Sequence, residues 1–160
     1  MSSLNPYEKF LDGRPVETIL AATAGELDKL LKAIGPEKVA TLPAPGKWSP
    51  AEIVCHLADC ELVHGFRLRQ TLAEDAPTVQ PFDQEKWAAR YNGISPRLAL
   101  EVFAALRSWN LTLINGALPA AAGRKMTHPD RGTLTFQSLI DTMAGHDLNH
   151  LGQLRKIASA

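Results

Sequence analysis

The sequence has few cysteines, two among 160 residues, which is too few for the disulfide framework of a small secreted protein. Cys55 and Cys60 lie in a segment predicted to be helical, about 140° apart around the helix axis, which is a poor geometry for a disulfide. Residues 1–6 also lack the charged and apolar regions of a signal peptide. We therefore expect a reduced protein of the cytoplasm.

Charge of one sign is not in excess, because 17 Lys and Arg residues balance 17 Asp and Glu residues. The sequence has neither the basic patch of a nucleic-acid-binding protein nor a like-charge tail. No apolar run approaches the roughly 20 residues that a membrane span requires. P-loop, G-x-S-x-G, dinucleotide-binding and zincin motifs are missing as well. We therefore expect neither a nucleic acid nor a membrane as a partner.

Four helical segments account for most of the chain, and strand signals are scarce. The first segment runs from about Val16 to Ile34, where Gly35-Pro36 ends it. The second begins at Ser49, a good N-cap that Glu52 completes as a capping box, and continues to about Leu72.

The third segment begins with Ser95 as its cap and runs to about Leu118, and the fourth begins near Thr135 and ends near the C-terminus. The inner face predicted for the third helix contains Val102, Ala105, Trp109 and Leu113.

These segments predict an all-α four-helix bundle that forms one domain over residues 1–160, with its sites between facing helices. Two long connections, residues 73–94 and 119–134, could cover one end of the bundle. The first of them has room for a short helix at about residues 83–91.

Two histidines four positions apart, in H-D-L-N-H, interrupt the apolar seam of the fourth helix. An unpaired buried ring nitrogen costs on the order of 1–3 kcal/mol, so two histidines on one buried seam need a shared explanation. A metal ion is the simplest, because side chains four apart in a helix project from the same side. The seam has a 4-3-4-3-4 spacing and consists of Leu139, Met143, His146, His150, Gln153 and Ile157.

The second helix offers a third ligand. His56 lies on a face with Glu52, Asp59, Val63 and Phe66, and it completes a three-histidine site if that face meets the fourth helix. Three imidazoles and an open position are typical of catalytic rather than structural metal sites. Asp59 is the candidate catalytic residue, since it could orient a ligand, fill a fourth position or act as a base.

Other interpretations stay open at this stage. An H-x-x-x-H pair is a weak motif, and hydrogen-bonded histidines in a purely structural bundle are an alternative. We expect His64 to be solvated or partly buried, His128 to be a loop residue and Trp109 to lie in the core. Trp87 and Tyr91 could line a pocket or anchor a loop, and the better interpretation of Cys60 is a small core residue.

Four stretches occur in a characteristic order: Trp48 to Asp59, Pro81 to Trp87, His128 to Thr135, and His146 to Leu154. This order resembles the DinB-like superfamily of metal-binding four-helix bundles, and the likeness extends from about Val16 to Ile157. The resemblance implies an up-down-down-up bundle that binds a divalent metal at one end.

The metal ligands that the resemblance implies are His56, His146 and His150, which fit the family pattern without departure. Nickel, zinc, iron and manganese are all compatible with them. The resemblance further implies a cytoplasmic bacterial protein, often a homodimer. It also implies relatives that are thiol-dependent transferases and isomerases, or metal-dependent hydrolases. We therefore expect a metal-dependent enzyme that acts on a small molecule, either by S-transfer from a low-molecular-weight thiol or by hydrolysis. A non-catalytic metal- or ligand-binding bundle is the alternative.

Overall fold

Five α-helices and a β-hairpin make up the computed structural model, which describes residues 5–160. Residues 1–4, which belong to the predicted domain and to the segment without signal-peptide features, lie outside the described residues. A 3-10 helix at Glu8–Phe10 comes first. The elements that follow are α1 (Val16–Ile34), α2 (Pro50–Ala73), α3 (Gln84–Ala88), α4 (Pro96–Ala117), β1 (Lys125–His128), β2 (Gly132–Thr135) and α5 (Phe136–Ala158).

Helix starts are set by the caps that the sequence predicts. The side chain of Ser49 accepts the backbone N–H of Glu52, and the Glu52 carboxylate accepts the backbone N–H of Ser49 in return. Thr135 and Ser138 form a second reciprocal pair at the start of α5. Ser95 caps α4 in the predicted way. The predicted bounds of the four long helices differ from the observed ones by about one residue at each end. The short helix predicted at about residues 83–91 forms but covers only Gln84–Ala88.

Contacts between helices define the direction of each one. Along α1, Thr23 bonds Asp147 and Glu26 pairs with Arg155, so α1 and α5 run in the same direction. The helices α1 and α4 run in opposite directions, because Leu20 contacts Arg107 whereas the later residue Asp28 pairs with the earlier residue Arg97.

The second helix completes the bundle. Glu61 bonds Arg107 and Arg69 bonds Asn110, so α2 and α4 run in the same direction, opposite to α1. The helices α1 and α2 each pack against both α4 and α5. The arrangement is therefore the up-down-down-up four-helix bundle that was predicted. None of the helices in the described part of the chain is long and apolar enough to cross a membrane.

The β-hairpin lies in a connection where the sequence signalled no strands. Strands β1 and β2 pair antiparallel, and Met126 lies opposite Leu134 with both side chains buried. Gly132 takes a φ of 78° at the turn, a conformation that favours glycine. Each strand has only four residues, too few for a clear alternating pattern. The hairpin leads directly into α5, which places its turn beside the bundle.

The inner face predicted for α4 is wrong. Val102 and Ala105 are exposed, Leu113 is half-buried, and Trp109, expected in the core, is 65% exposed. The buried face carries Ala99, Leu100, Phe103, Arg107, Asn110 and Ile114.

The reason is a buried polar network that an apolar pattern cannot reveal. The Arg107 guanidinium donates to Glu61, to Asp147 and to the carbonyl oxygen of Leu20, which joins α4 to α2, α5 and α1. Asn110 donates to Glu61 as well. A buried charge is tolerated only where partners of this kind satisfy it.

Candidate metal centre

Three buried histidines from two helices converge at one end of the bundle. The Nε2 of His146 lies 3.0 Å from the Nε2 of His56 and 3.1 Å from the Nε2 of His150. One ligand nitrogen from each residue lies within 4.8 Å of the other two. The prediction that His56 meets the two histidines of the last helix is therefore confirmed.

Hydrogen bonds alone do not account for this convergence. An imidazole nitrogen carries either one N–H or one in-plane lone pair, yet the Nε2 of His146 faces two other Nε2 atoms. Two imidazole nitrogens bound to one ion at about 2.1 Å would lie about 3.0–3.4 Å apart for bond angles between about 90° and 110°. The observed 3.0 and 3.1 Å fall at the short end of this range. The residues present therefore fit a divalent metal ion.

A residue one turn beyond the cluster orients one of the imidazoles. The Nδ1 of His150 donates to the side-chain oxygen of Gln153, 3.0 Å away. This leaves the lone pair of His150 on Nε2, the atom that faces the other histidines. Gln153 was predicted to lie on the buried seam, but it is exposed and Leu154 is buried in its place.

Aromatic side chains cover the three imidazoles. The ring centroid of Trp48 lies 4.7 Å from that of His56 and 6.4 Å from that of His150. Tyr7 packs edge-on against His146 with centroids 5.0 Å apart. A Cβ on Gly145 would lie 2.6 Å from the carbonyl oxygen of Tyr7, so the close approach of this N-terminal segment requires glycine at that position.

Burial keeps the imidazoles neutral. Burial, with the neighbouring His150 as a second cause, lowers the pKa of His56 to about 3. Burial also lowers the pKa of His146 well below the usual range of histidine. The pKa of His150 is lowered by burial too, although its hydrogen bond with Gln153 acts in the opposite direction. Neutral imidazoles are the form that binds a metal ion.

Two cavities adjoin the histidines. The larger, about 570 Å³, is lined by His56, His150, Trp48 and Gln153 among others. The smaller, about 230 Å³, is lined by His56 and His146. His56, Tyr7 and Gln84 line both cavities, which therefore meet at the three-histidine cluster.

Asp59 lies apart from these two cavities. Its carboxylate accepts a hydrogen bond of 2.8 Å from the hydroxyl of Tyr91, which is buried. Both residues line a third cavity of about 520 Å³ with Trp87, and none of the three histidines lines it. Tyr91 thus both lines a pocket and anchors a loop. The role of Asp59 in catalysis stays a prediction.

Three further histidine and cysteine residues lie beside the cluster. His64, expected to be solvated or partly buried, is 8% exposed, and its ring centroid is 6.3 Å from that of His146. His128 lies in β1 rather than in a loop and is also buried. Cys60 is buried with its sulfur 3.5 Å from the Nε2 of His56, and burial raises the pKa of its thiol. A thiol with a raised pKa is a poor nucleophile.

Several residues of the site carried no signal in the sequence. Tyr7 and Arg131 come from segments outside the four predicted helices, and Arg67 looked like an ordinary charged helix residue. The three-residue spacing between His150 and Gln153 could have suggested their contact, since side chains at i and i+3 are neighbours on a helix.

Comparisons with known proteins agree with this site. A family model described as the DinB superfamily matches residues 19–154. A protein of Oceanobacillus iheyensis named "putative metal-dependent hydrolase" is 26% identical over 166 residues, which cover 98% of this chain and 96% of the relative. A Bacillus mycoides protein of the same name is 23% identical over 133 residues, which cover 82% of this chain and 77% of the relative.

One solved structure with the same fold is that of YfiT from Bacillus subtilis, described as "a probable metal-dependent hydrolase with an unusual four-helix bundle topology". The two structures superpose with a TM-score of 0.84 at 19% sequence identity. The match covers 90% of this chain and 84% of YfiT. At this identity, the likeness shows a shared fold.

Proposed function

The chain belongs to the DinB superfamily, and from this premise we propose that it is a metal-dependent enzyme that acts on a small molecule. In this proposal His56, His146 and His150 are the metal ligands. The observation that carries it is the convergence of three neutral, buried Nε2 atoms where two cavities meet. Three protein ligands leave at least one coordination position open, as is typical of catalytic metal sites.

A divalent metal ion held by these imidazoles would supply Lewis-acid chemistry, lowering the pKa of a water molecule or a thiol. The residues of the chain prepare the site for it. Gln153 keeps the lone pair of His150 on Nε2. Trp48 and Tyr7 cover the imidazole faces and exclude bulk water, which strengthens electrostatic interactions in the site.

Hydrolysis is the reaction that the names of the relatives support. Transfer of a low-molecular-weight thiol to an electrophile is the second candidate, and one observation favours it. The two cavities meet at the histidines from different sides, which provides room for two reactants. Nickel, zinc, iron and manganese all remain candidate ions.

Asp59 enters the proposal as a residue that positions others. Its hydrogen bond with Tyr91 fixes the end of the segment that contains α3, and Gln84 at the start of α3 lines both cavities beside the histidines. Asp59 would therefore affect activity through the placement of Gln84.

We also include a cytoplasmic location and a homodimer in the proposal. Cys55 and Cys60 are both free and buried, as suits a reducing compartment. Large apolar side chains are exposed on α2 and α4, and a second copy of the chain could cover them: Leu62, Phe66, Leu98, Val102 and Trp109. Sedimentation analysis at several concentrations tests the dimer, and a monomer at all of them would contradict it.

The test of function uses metal-loaded protein and its His146→Ala variant. Each is incubated with a panel of esters and amides, and separately with cellular thiols and a model electrophile. We expect turnover by the wild-type protein only. Equal rates for the two proteins in both assays, with metal bound to the wild type, would favour the alternative of a non-catalytic binding bundle.

A further inference from the structure

The smaller cavity extends away from the three histidines toward a group of cationic and imidazole side chains. One stripe along α2 lines this cavity. In chain order, the residues of the stripe are His56, Cys60, His64 and Arg67. Helical side chains lean toward the N-terminus of their helix, so Arg67 leans back toward His56. The cavity therefore has a histidine end and an arginine end.

Arg67 is buried at this end with part of its guanidinium unsatisfied. It is 5% exposed, and its Nη2 donates to the carbonyl oxygen of Gln80 at 2.7 Å. The Nε of Arg67 is buried and has no hydrogen-bond partner in the described part of the chain. An unsatisfied buried donor on a charged group is costly, so we expect a bound molecule to supply the missing acceptor here.

A second guanidinium lies nearby on the hairpin turn. Arg131 is half-buried, and its side chain makes no hydrogen bond or ion pair with another described residue. The pKa of Arg67 is lowered first by burial and then by the charge of Arg131, which agrees with the proximity of the two groups.

Acidic side chains do not balance these two charges. Asp130 is the carboxylate that lines the cavity, and its side chain is 74% exposed. The buried carboxylates Glu61 and Asp147 are already bound by Arg107. The arginine end of the cavity therefore holds more positive than negative charge, since Asp130 faces two guanidinium groups.

His128 adds a neutral donor. Its Nδ1 accepts the backbone N–H of Asp130 at 3.2 Å, so the proton of the imidazole lies on Nε2. His128 lines the same cavity as the two arginines.

We propose that Arg67, Arg131 and His128 form a subsite for a carboxylate, so that the substrate is a small molecule with an anionic group. The reacting group of that molecule would lie at the three histidines, a part of the inference that rests on the proposed function. Guanidinium groups present planar pairs of donors that match a carboxylate. A cavity of about 230 Å³ is smaller than the roughly 300–1,000 Å³ of drug-sized ligand pockets, which suits a small acid.

The carboxylate subsite is tested on metal-free protein, where it does not depend on the proposed function. Butyrate and its neutral counterpart butyramide are titrated into the chelator-treated protein, and the amide NMR signals of His128, Asp130 and Arg131 are followed. We expect saturable shifts with butyrate and none with butyramide. Equal responses to the two compounds would overturn the proposal.

Variants locate the binding site. The Arg131→Gln variant should bind butyrate about 10- to 100-fold more weakly, as expected for loss of a charge-assisted hydrogen bond. Lys47→Gln removes an equal charge from the wall of the other cavity and should bind butyrate like the wild type. An equal loss in both variants would indicate general charge attraction and overturn the proposal. Arg67→Lys, which keeps the buried charge, provides a second test if its thermal midpoint is unchanged, and it too should weaken binding.

A second titration separates this inference from the proposed function. Metal-loaded protein is titrated with 4-mercaptobutyrate and with 4-mercaptobutanol, which differ in the carboxylate alone. If the mercaptobutyrate binds more tightly than butyrate, its thiol is bound at the metal. If the mercaptobutyrate binds more tightly than the mercaptobutanol, its carboxylate is bound in the subsite. If the mercaptobutyrate binds no more tightly than butyrate but still more tightly than the mercaptobutanol, the open metal position of the proposed function is contradicted. If the mercaptobutyrate binds no more tightly than the mercaptobutanol but still more tightly than butyrate, the carboxylate subsite is contradicted.

Discussion

The Nδ1 of His150 lies 3.0 Å from the side-chain oxygen of Gln153, one turn further along α5. An amide oxygen only accepts, so the imidazole donates through Nδ1 and its lone pair remains on Nε2. That Nε2 faces the Nε2 of His146 at 3.1 Å. A residue outside the histidine cluster thus selects the form of His150 that binds a metal ion.

Removal of this hydrogen bond should weaken metal binding. We expect Gln153→Leu to lower metal affinity by about 10- to 100-fold, the usual range for a residue that orients a ligand. Gln153→Glu keeps an acceptor and should keep affinity near that of the wild type. Gln137→Leu, a similar change near the start of α5, is the control. Competition with a chelator of known affinity measures all three, and unchanged affinity in Gln153→Leu would exclude the orienting role.

Asp59 and Tyr91 should act as a pair. Loss of either side of their hydrogen bond loosens the segment that carries Gln84. We expect Asp59→Leu, which removes the acceptor, and Tyr91→Phe, which removes the donor, to lower turnover by a similar factor while metal content stays at the wild-type level. Elemental analysis and steady-state kinetics check this. Loss of metal in Asp59→Leu would instead indicate that the carboxylate acts at the metal.

The buried Arg107 should be essential to stability. Arg107→Met leaves Glu61 and Asp147 as buried carboxylates without a counter-charge, and we expect the free energy of unfolding to fall by about 3–5 kcal/mol. Arg97→Met removes an exposed arginine of the same helix that pairs with Asp28 and should lower the free energy of unfolding far less, because solvent screens an exposed ion pair. Urea denaturation measures the free energy of unfolding of the two variants. An equal decrease in both would show that burial of the network has little effect on stability.

Acid should destabilise the metal-free protein partly through His64. Burial, followed by the charges of Arg67, Arg107 and Arg131, lowers the pKa of His64 to about 3, against about 6.5 in the unfolded chain. Between these values the unfolded state binds a proton that the folded state does not, so the free energy of unfolding falls as the pH falls from about 6.5 toward 3. Well inside that window, the free energy of unfolding of His64→Gln should fall by about 1.4 kcal/mol less per pH unit than that of the wild type. Identical slopes in urea titrations at pH 6, 5.5 and 5 would contradict this.

The helix bounds and the pair of histidines on the last helix could be predicted because they depend on local signals. Ser49 and Thr135 are caps that their own neighbours complete, and His146 and His150 follow the helical period of the apolar residues around them. His56 could be added only on the condition that its face of α2 meets the last helix, a contact that the resemblance to the DinB-like superfamily implied. The binding of a metal ion by these three residues stays a prediction.

The remaining features depend on partners that are distant in sequence. Arg107 is buried only because Glu61 and Asp147 meet it, so an apolar pattern selected Trp109 instead. His64 lies against His146 of α5, and His128 belongs to the hairpin that the sequence did not signal. Periodicity does not show that both are buried. The arginine end of the smaller cavity joins Arg67 on α2 with Arg131 on a turn that the sequence did not predict.

The most direct test of the account is the metal content of the untagged protein and its histidine variants. Each protein is loaded with a mixture of nickel, zinc, iron and manganese, dialysed, and analysed for its elements. We predict about one divalent ion per chain in the wild type and in His128→Ala, and little in His56→Ala, His146→Ala or His150→Ala, with all variants still helical. Full metal content in the last three variants, or none in the wild type, would contradict a three-histidine metal centre.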